Sequence, residues 1–390
     1  MKVKILDNKF TYFIFLCICF EFPYFDTFSL FNKLMDIAKI ILVLFLFILF
    51  IKNEKKFPRD IICLTLYAAV IIISTFFNDY GNIKGAFALS IKILAISLLS
   101  KMCMERNPKK FINVAVSILE LMVLINFITI IFFPNGLYST LYQKQNFFLG
   151  YDNRHIVFIL PMLCLKSIYD YTFFGKLSKM FWFDTFISIL TVYIRFSVTS
   201  VIGLLIFITY IIFLPILKNI KFINFKNTYM LNIFAFLGLV ILRVQEKFAY
   251  IIKILLKKDL TFTGRTLIWD NTIKYIKRRP FFGYGVEPYD IRGLKNNNLA
   301  AIFAHNQILE IIYQGGLILY VLYSYLMLII YKKFKEYKDN NVIKIFSIYF
   351  LALFIMMLTE VYNNPTIFMM YMIAANIDLL IRFKEGEKNE

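Results

Sequence analysis

The chain has 390 residues, of which 60% are hydrophobic and 18% charged. Soluble globular proteins average about 45–50% apolar and about 25% charged, and 45 Phe with 25 Tyr is too aromatic for a disordered chain. The five cysteines, Cys17, Cys19, Cys63, Cys103 and Cys164, show neither a disulfide framework nor a zinc spacing. Soluble, disordered, collagenous and disulfide-scaffold classes are thereby excluded. A polytopic membrane protein is left.

A bilayer core of about 30 Å takes roughly 20 apolar residues per helix. On that measure twelve stretches are predicted to span, at 10–22, 34–51, 61–77, 86–100, 111–133, 156–171, 181–194, 200–217, 228–242, 309–331, 342–359 and 366–381. No small-residue cleavage site follows the first, so it is read as an uncleaved span. With the N-terminus inside, the inner segments hold 23 Lys and Arg, and the short outer loops hold five: Lys33, Lys84, Lys144, Arg154 and Arg195. That imbalance puts both termini in the cytoplasm. Much of the net charge of +19 is therefore topology, and nucleic acid is not expected as a partner.

Residues 243–305 fall between spans 9 and 10, hence outside, and carry twelve Lys and Arg against five Asp and Glu. Long translocated segments escape the positive-inside bias, so this charge suits either a plain solvated loop or a surface for an anionic lipid-linked phosphate. Val244, Phe248, Ile251, Ile252, Leu255 and Leu256 recur at helical spacing. Thr263 offers an N-cap to a second helix over 265–279, which Pro280 stops. Basic amphipathic helices of this kind lie at membrane interfaces, so the loop reads as a lid. Three regions follow: spans 1–9 over 1–242, an extracytoplasmic loop over 243–305, and spans 10–12 with a tail over 306–390. The expected fold is thus all-α.

Nucleotide-driven and metalloprotease chemistry have no motif here: there is no phosphate-binding G-x-x-x-x-G-K-[ST], no H-E-x-x-H and no G-x-S-x-G. The two histidines, His155 and His305, both fall at the outer ends of spans. Imidazole suits proton transfer near neutral pH, although a single His at a helix end is more often structural. Its neighbours distinguish His305. They read Thr263-Gly264-Arg265-Thr266 with Trp269, Pro280-Phe281-Phe282-Gly283-Tyr284-Gly285, then Ala304-His305-Asn306 with Leu309, Glu310 and Gly315-Gly316. In order and spacing this block resembles the O-antigen ligase and polysaccharide polymerase superfamily.

The resemblance implies glycosyl transfer from an undecaprenyl-diphosphate-linked glycan donor to a sugar hydroxyl acceptor, with no metal and no cofactor. It implies a multi-pass bacterial inner-membrane enzyme with its site on the extracytoplasmic face. A chain-length regulator and a flippase would be its partners. Arg265 would steady the donor diphosphate and His305 would take the acceptor proton. Asn306, beside His305, joins the substrate contacts. Family members often carry a second phosphate-binding Arg where this chain has Ser197-Val198-Thr199-Ser200. Arg195 or Arg154 would have to supply that charge, and Arg195 could equally be a snorkelling anchor. Glu310 is expected to serve helix packing. The expected function is polymerisation of the lipid-linked repeats into a surface polysaccharide, with a ligase and a flippase or transporter of the same lipids as the alternatives. Finally, Lys92 and Glu120 lie at nearly equal depth on neighbouring antiparallel spans, which predicts an ion pair between them, since an unpaired charge at mid-bilayer costs at least about 2.5 kcal/mol.

Overall fold

Asparagine starts half of the helices. The side chains of Asn8, Asn82, Asn107, Asn224, Asn306, Asn340 and Asn364 each accept a hydrogen bond from a backbone N–H in the first turn, and Ser178 does the same. Such caps satisfy donors that a helix start otherwise leaves bare. A computed structural model of the chain describes residues 8–53, 57–140, 143–217, 223–244, 265–287 and 303–389.

In chain order the helices are α1 (Lys9–Cys19), α2 (Ser29–Asn53), α3 (Arg59–Phe76), α4 (Ile83–Arg106), α5 (Pro108–Phe132), α6 (Ile156–Phe173), α7 (Lys179–Ile194) and α8 (Val198–Leu217). Then come α9 (Phe225–Phe236), prolonged by a π-turn to Ile241, α10 (Arg265–Arg278), α11 (Gln307–Glu336), α12 (Asn341–Met357), α13 (Pro365–Ala375) and α14 (Ile377–Asn389). Two isolated β-bridges, Tyr138 with Asn146 and Phe147 with Gly150, tighten the loop between α5 and α6. The protein is all-helical over the described residues.

Each of the twelve apolar stretches lies on a helix. Seven of these helices are long and apolar enough to cross a membrane, or eight if α13 and the start of α14, bent by 55° at Asn376, form one span. Three more, α1, α9 with its π-turn, and α12, are apolar but shorter. The expected number of twelve spans is therefore not reached by length and composition. The amphipathic stretch expected at 244–258 lies largely, and Thr263 and Gly264 entirely, outside the described residues. The second helix expected in the same segment is α10.

Every residue of α13 is buried, so this helix is the centre of the bundle. The exposed large apolar residues of α2 are Leu30, Leu34, Ile37, Ile40, Ile41, Leu44, Phe47, Ile48 and Ile51, a continuous stripe at helical spacing that suits hydrocarbon rather than water. At one end of the bundle Asn376 donates to Asp60 Oδ2 at 2.7 Å and accepts from Lys101 at 2.6 Å. The opposite end gathers the start of α6, the end of α7, the start of α11 and the loop between α12 and α13. That end holds the motifs.

Candidate active site

The glycine block is a docking joint. Helix α11 breaks at Gly315 and Gly316, where φ at Gly316 is +63°. Into the break fits the turn Pro280–Gly285: Tyr284 N donates to Tyr313 O at 2.8 Å, Gly285 N to Gln314 O at 2.7 Å, and Leu317 N to Pro280 O at 2.8 Å. A Cβ on Gly316 would lie 2.1 Å from the Phe281 backbone, and one on Gly283 2.3 Å from Tyr313 O. Two backbones approach more closely than any side chain allows, which is the physical reason for glycine here. Beyond the turn, Val286 N donates to Thr75 Oγ1 at 2.9 Å and Asn82 N donates to Val286 O at 2.7 Å, tying the joint to α3 and α4.

The joint carries α10 against α9 and the start of α11. Ile268 and Trp269 of α10 are buried, and Trp269 packs with Phe236, Val240, Ala304, Ile308 and Leu309. The apolar face of α10 is thus received by the bundle at Trp269. The Trp269 indole N–H points at His305 O, 3.4 Å away. His305 has φ +48°, a left-handed conformation that costs a non-glycine residue of order 1 kcal/mol or more.

What holds that conformation is the pair of residues around it. Asn306 caps α11 through Leu309 N at 3.0 Å while its amide donates to Leu358 O at 3.0 Å. Glu310, fully buried, accepts Ala304 N at 2.8 Å and the Gln314 amide at 3.0 Å. The carboxylate expected to serve packing is therefore a brace on the backbone that presents His305.

Arg265, the first residue of α10, and His305 meet on one carboxylate, that of Glu360 in the loop between α12 and α13. Arg265 Nη2 is 2.5 Å from Glu360 Oε1, and His305 Nδ1 is 3.8 Å from Oε2. The Asn153 amide donates to the same Oε1 at 3.0 Å. The Glu360 side chain is only 7% exposed, whereas that of His305 is 33% exposed, so the acid is enclosed and the imidazole accessible. Tyr362 lies two residues on. Burial pushes its phenol well above the ordinary tyrosine range, ahead of the nearby charge of Glu360. Its buried hydroxyl has no hydrogen-bond partner among the described residues.

Asn153 belongs to a 3-10 turn, Asp152–Arg154, whose three side chains reach three charged groups. Arg195, at the end of α7, lies against Asp152 at 2.8 Å (Nε to Oδ1) and 3.3 Å (Nη2 to Oδ2), donates to Gln145 at 2.8 Å, and stacks over Phe147. Its side chain is 17% exposed, a held guanidinium rather than a loose anchor. Arg154 pairs with Glu21 at 3.0 Å. His155 is buried with Nε2 3.0 Å from Gly150 O, the structural reading. Arg265 and His305 are thus brought into one cluster, Asn306 supports it through the backbone, and Arg195 and Arg154 join it through a shared turn.

Lys92 does not pair with Glu120. It lies 2.8 Å from Glu21, while Glu120 is 2.9 Å from Lys166 of α6. Side chains on a helix lean toward its N-terminus. On antiparallel α4 and α5 equal depth at Cα therefore becomes opposite directions at the charges. Glu360, Asn153, Asp152 and Tyr362 carry no motif and were not anticipated. The one signal for Glu360 and Tyr362 is a string rich in polar residues, Thr359-Glu360-Val361-Tyr362-Asn363-Asn364, between two apolar spans, and Asp152 and Asn153 have none.

Residues 185–324 match the family model described as O-antigen ligase. The match begins inside α7, covers Arg195, Arg265 and His305, and ends inside α11. It supports the resemblance to the O-antigen ligase and polymerase superfamily. No curated protein matches the chain, and no solved structure does.

Proposed function

Taking that match as premise, we propose that the protein polymerises undecaprenyl-diphosphate-linked oligosaccharide repeats into a surface polysaccharide. The observation that carries this reading is the convergence of Arg265 and His305 on the Glu360 carboxylate. The acceptor hydroxyl oxygen attacks the anomeric carbon of the donor, and the carbon–oxygen bond to the diphosphate breaks. The diphosphate leaves with the electron pair. His305 takes the hydroxyl proton as the new glycosidic bond forms. Arg265 and Arg195 offer planar donor forks to the charge that develops on the leaving diphosphate. Arg154 adds a third cation nearby, and Asn306 acts by fixing the start of α11. The site faces the extracytoplasmic side of the bacterial inner membrane, with both termini in the cytoplasm.

The description of the matched model favours a second reading, in which a ligase transfers finished glycan to another acceptor. Deleting the gene separates the two. A polymerase deletion accumulates single lipid-linked repeats, whereas a ligase deletion accumulates long lipid-linked polymer. Complementation with His305→Ala should reproduce the single-repeat phenotype with normal amounts of protein in the membrane. A polymer ladder of normal length from that strain would remove His305 from the reaction.

A further inference from the structure

We infer that Asp152 and Asn153, adjacent in one turn, are positioning residues with separate tasks: Asp152 holds Arg195 for binding the donor diphosphate, and Asn153 holds Glu360 for the transfer step. The inference rests on the proposed glycosyl transfer.

The turn is well placed for two tasks. Asp152 engages Arg195 through two of its nitrogens, Nε at 2.8 Å and Nη2 at 3.3 Å. Gln145 takes Nη2 as well, at 2.8 Å, and the guanidinium lies over the Phe147 ring with its carbon 4.7 Å from the centroid. Those contacts fix the plane of the fork and leave Nη1 without a hydrogen bond to any of the described residues, directed by its neighbours rather than by rotation. A guanidinium free to turn would have to be ordered by the diphosphate itself, at the expense of affinity.

Asn153 works on a different group. Its amide and the Arg265 guanidinium both bind Glu360 Oε1, at 3.0 and 2.5 Å, which sets the rotation of the carboxylate and leaves Oε2 toward His305 Nδ1. A carboxylate behind an imidazole stabilises the ring as it takes up a proton, and this stabilisation is felt in the transition state rather than on substrate binding. The third residue keeps the turn in place. Arg154 pairs with Glu21, which also holds Lys92 at 2.8 Å and Asn364 at 3.3 Å. The turn is therefore anchored to α4 and to the loop that bears Glu360.

The test compares Asp152→Asn and Asn153→Ala with the parent protein and with His305→Ala, all in proteoliposomes. The substrate is lipid-linked repeat purified from the deletion strain, and undecaprenyl diphosphate alone serves as the binding probe in native mass spectrometry. Asp152→Asn should weaken probe binding and raise the donor KM roughly tenfold with kcat within about twofold of the parent, a loss of about 1.4 kcal/mol of uniform binding. Asn153→Ala should lower kcat roughly tenfold with probe binding and KM unchanged, and Asn153→Gln should recover part of that loss. If both variants shift the same parameter, or neither moves either one while His305→Ala is inactive, the division of tasks is wrong. Full activity of His305→Ala in the same assay would instead remove the reading on which it rests.

Discussion

At the residue scale, the basic side chains at the motif end are arranged around three acids. Arg265 and His305 share Glu360, Arg195 is held by Asp152, and Arg154 and Lys92 share Glu21. Arg265→Lys keeps a charge but loses the planar fork, so a partial loss of polymer is expected, with Arg265→Ala far worse. Donor consumption by the Ala variant at the parental rate would contradict diphosphate binding by Arg265. Glu21, in the turn after α1, is shared by Lys92 at 2.8 Å and Arg154 at 3.0 Å. Glu21→Gln strands both cations and should lower the thermal midpoint at pH 7, by an amount corresponding to about 2 kcal/mol. An unchanged midpoint would show that the two pairs add nothing to stability. Arg265 and His305 were legible because the motif spacing names them. Glu360 was not, since a residue supplied by another loop leaves no local pattern.

At the element scale, the helices were readable because apolar run length is a local quantity, and all twelve stretches sit on helices. Their pairings were less so. The expectation for Lys92 and Glu120 considered depth and sequence neighbourhood but not the lean of side chains along antiparallel helices. The joint between Pro280–Gly285 and the α11 break was visible only as two glycine pairs. Its consequence is a sharp sensitivity. Gly316→Ala puts a Cβ 2.1 Å from the Phe281 backbone at a φ of +63°, and neither backbone can yield cheaply. We expect a destabilisation of at least about 2 kcal/mol, read as a lower thermal midpoint in detergent and loss of polymer. Gly175→Ala, where φ is +72° but a Cβ would meet nothing, should cost only the backbone term and retain activity. Equal effects at the two positions would show that close approach is not what the α11 break provides.

At the scale of the whole molecule, the basic-residue count and the alternation of helices give a bundle with motif loops at one end and the Asp60–Asn376–Lys101 cluster at the other. The account places the motif end outside. Lys144→Cys, in the α5–α6 loop, should react with a membrane-impermeant maleimide on intact cells, and Lys338→Cys, between α11 and α12, should react only after lysis. The reverse pattern would invert the protein and separate the site from its substrate. The most direct test of the central claim uses the purified protein in liposomes with one defined lipid-linked repeat and no nucleotide or nucleotide sugar. The account predicts a ladder of longer lipid-linked glycans, one undecaprenyl diphosphate released for each bond formed, and neither product from His305→Ala. Ladder formation by His305→Ala, or chain growth without release of undecaprenyl diphosphate, would contradict it.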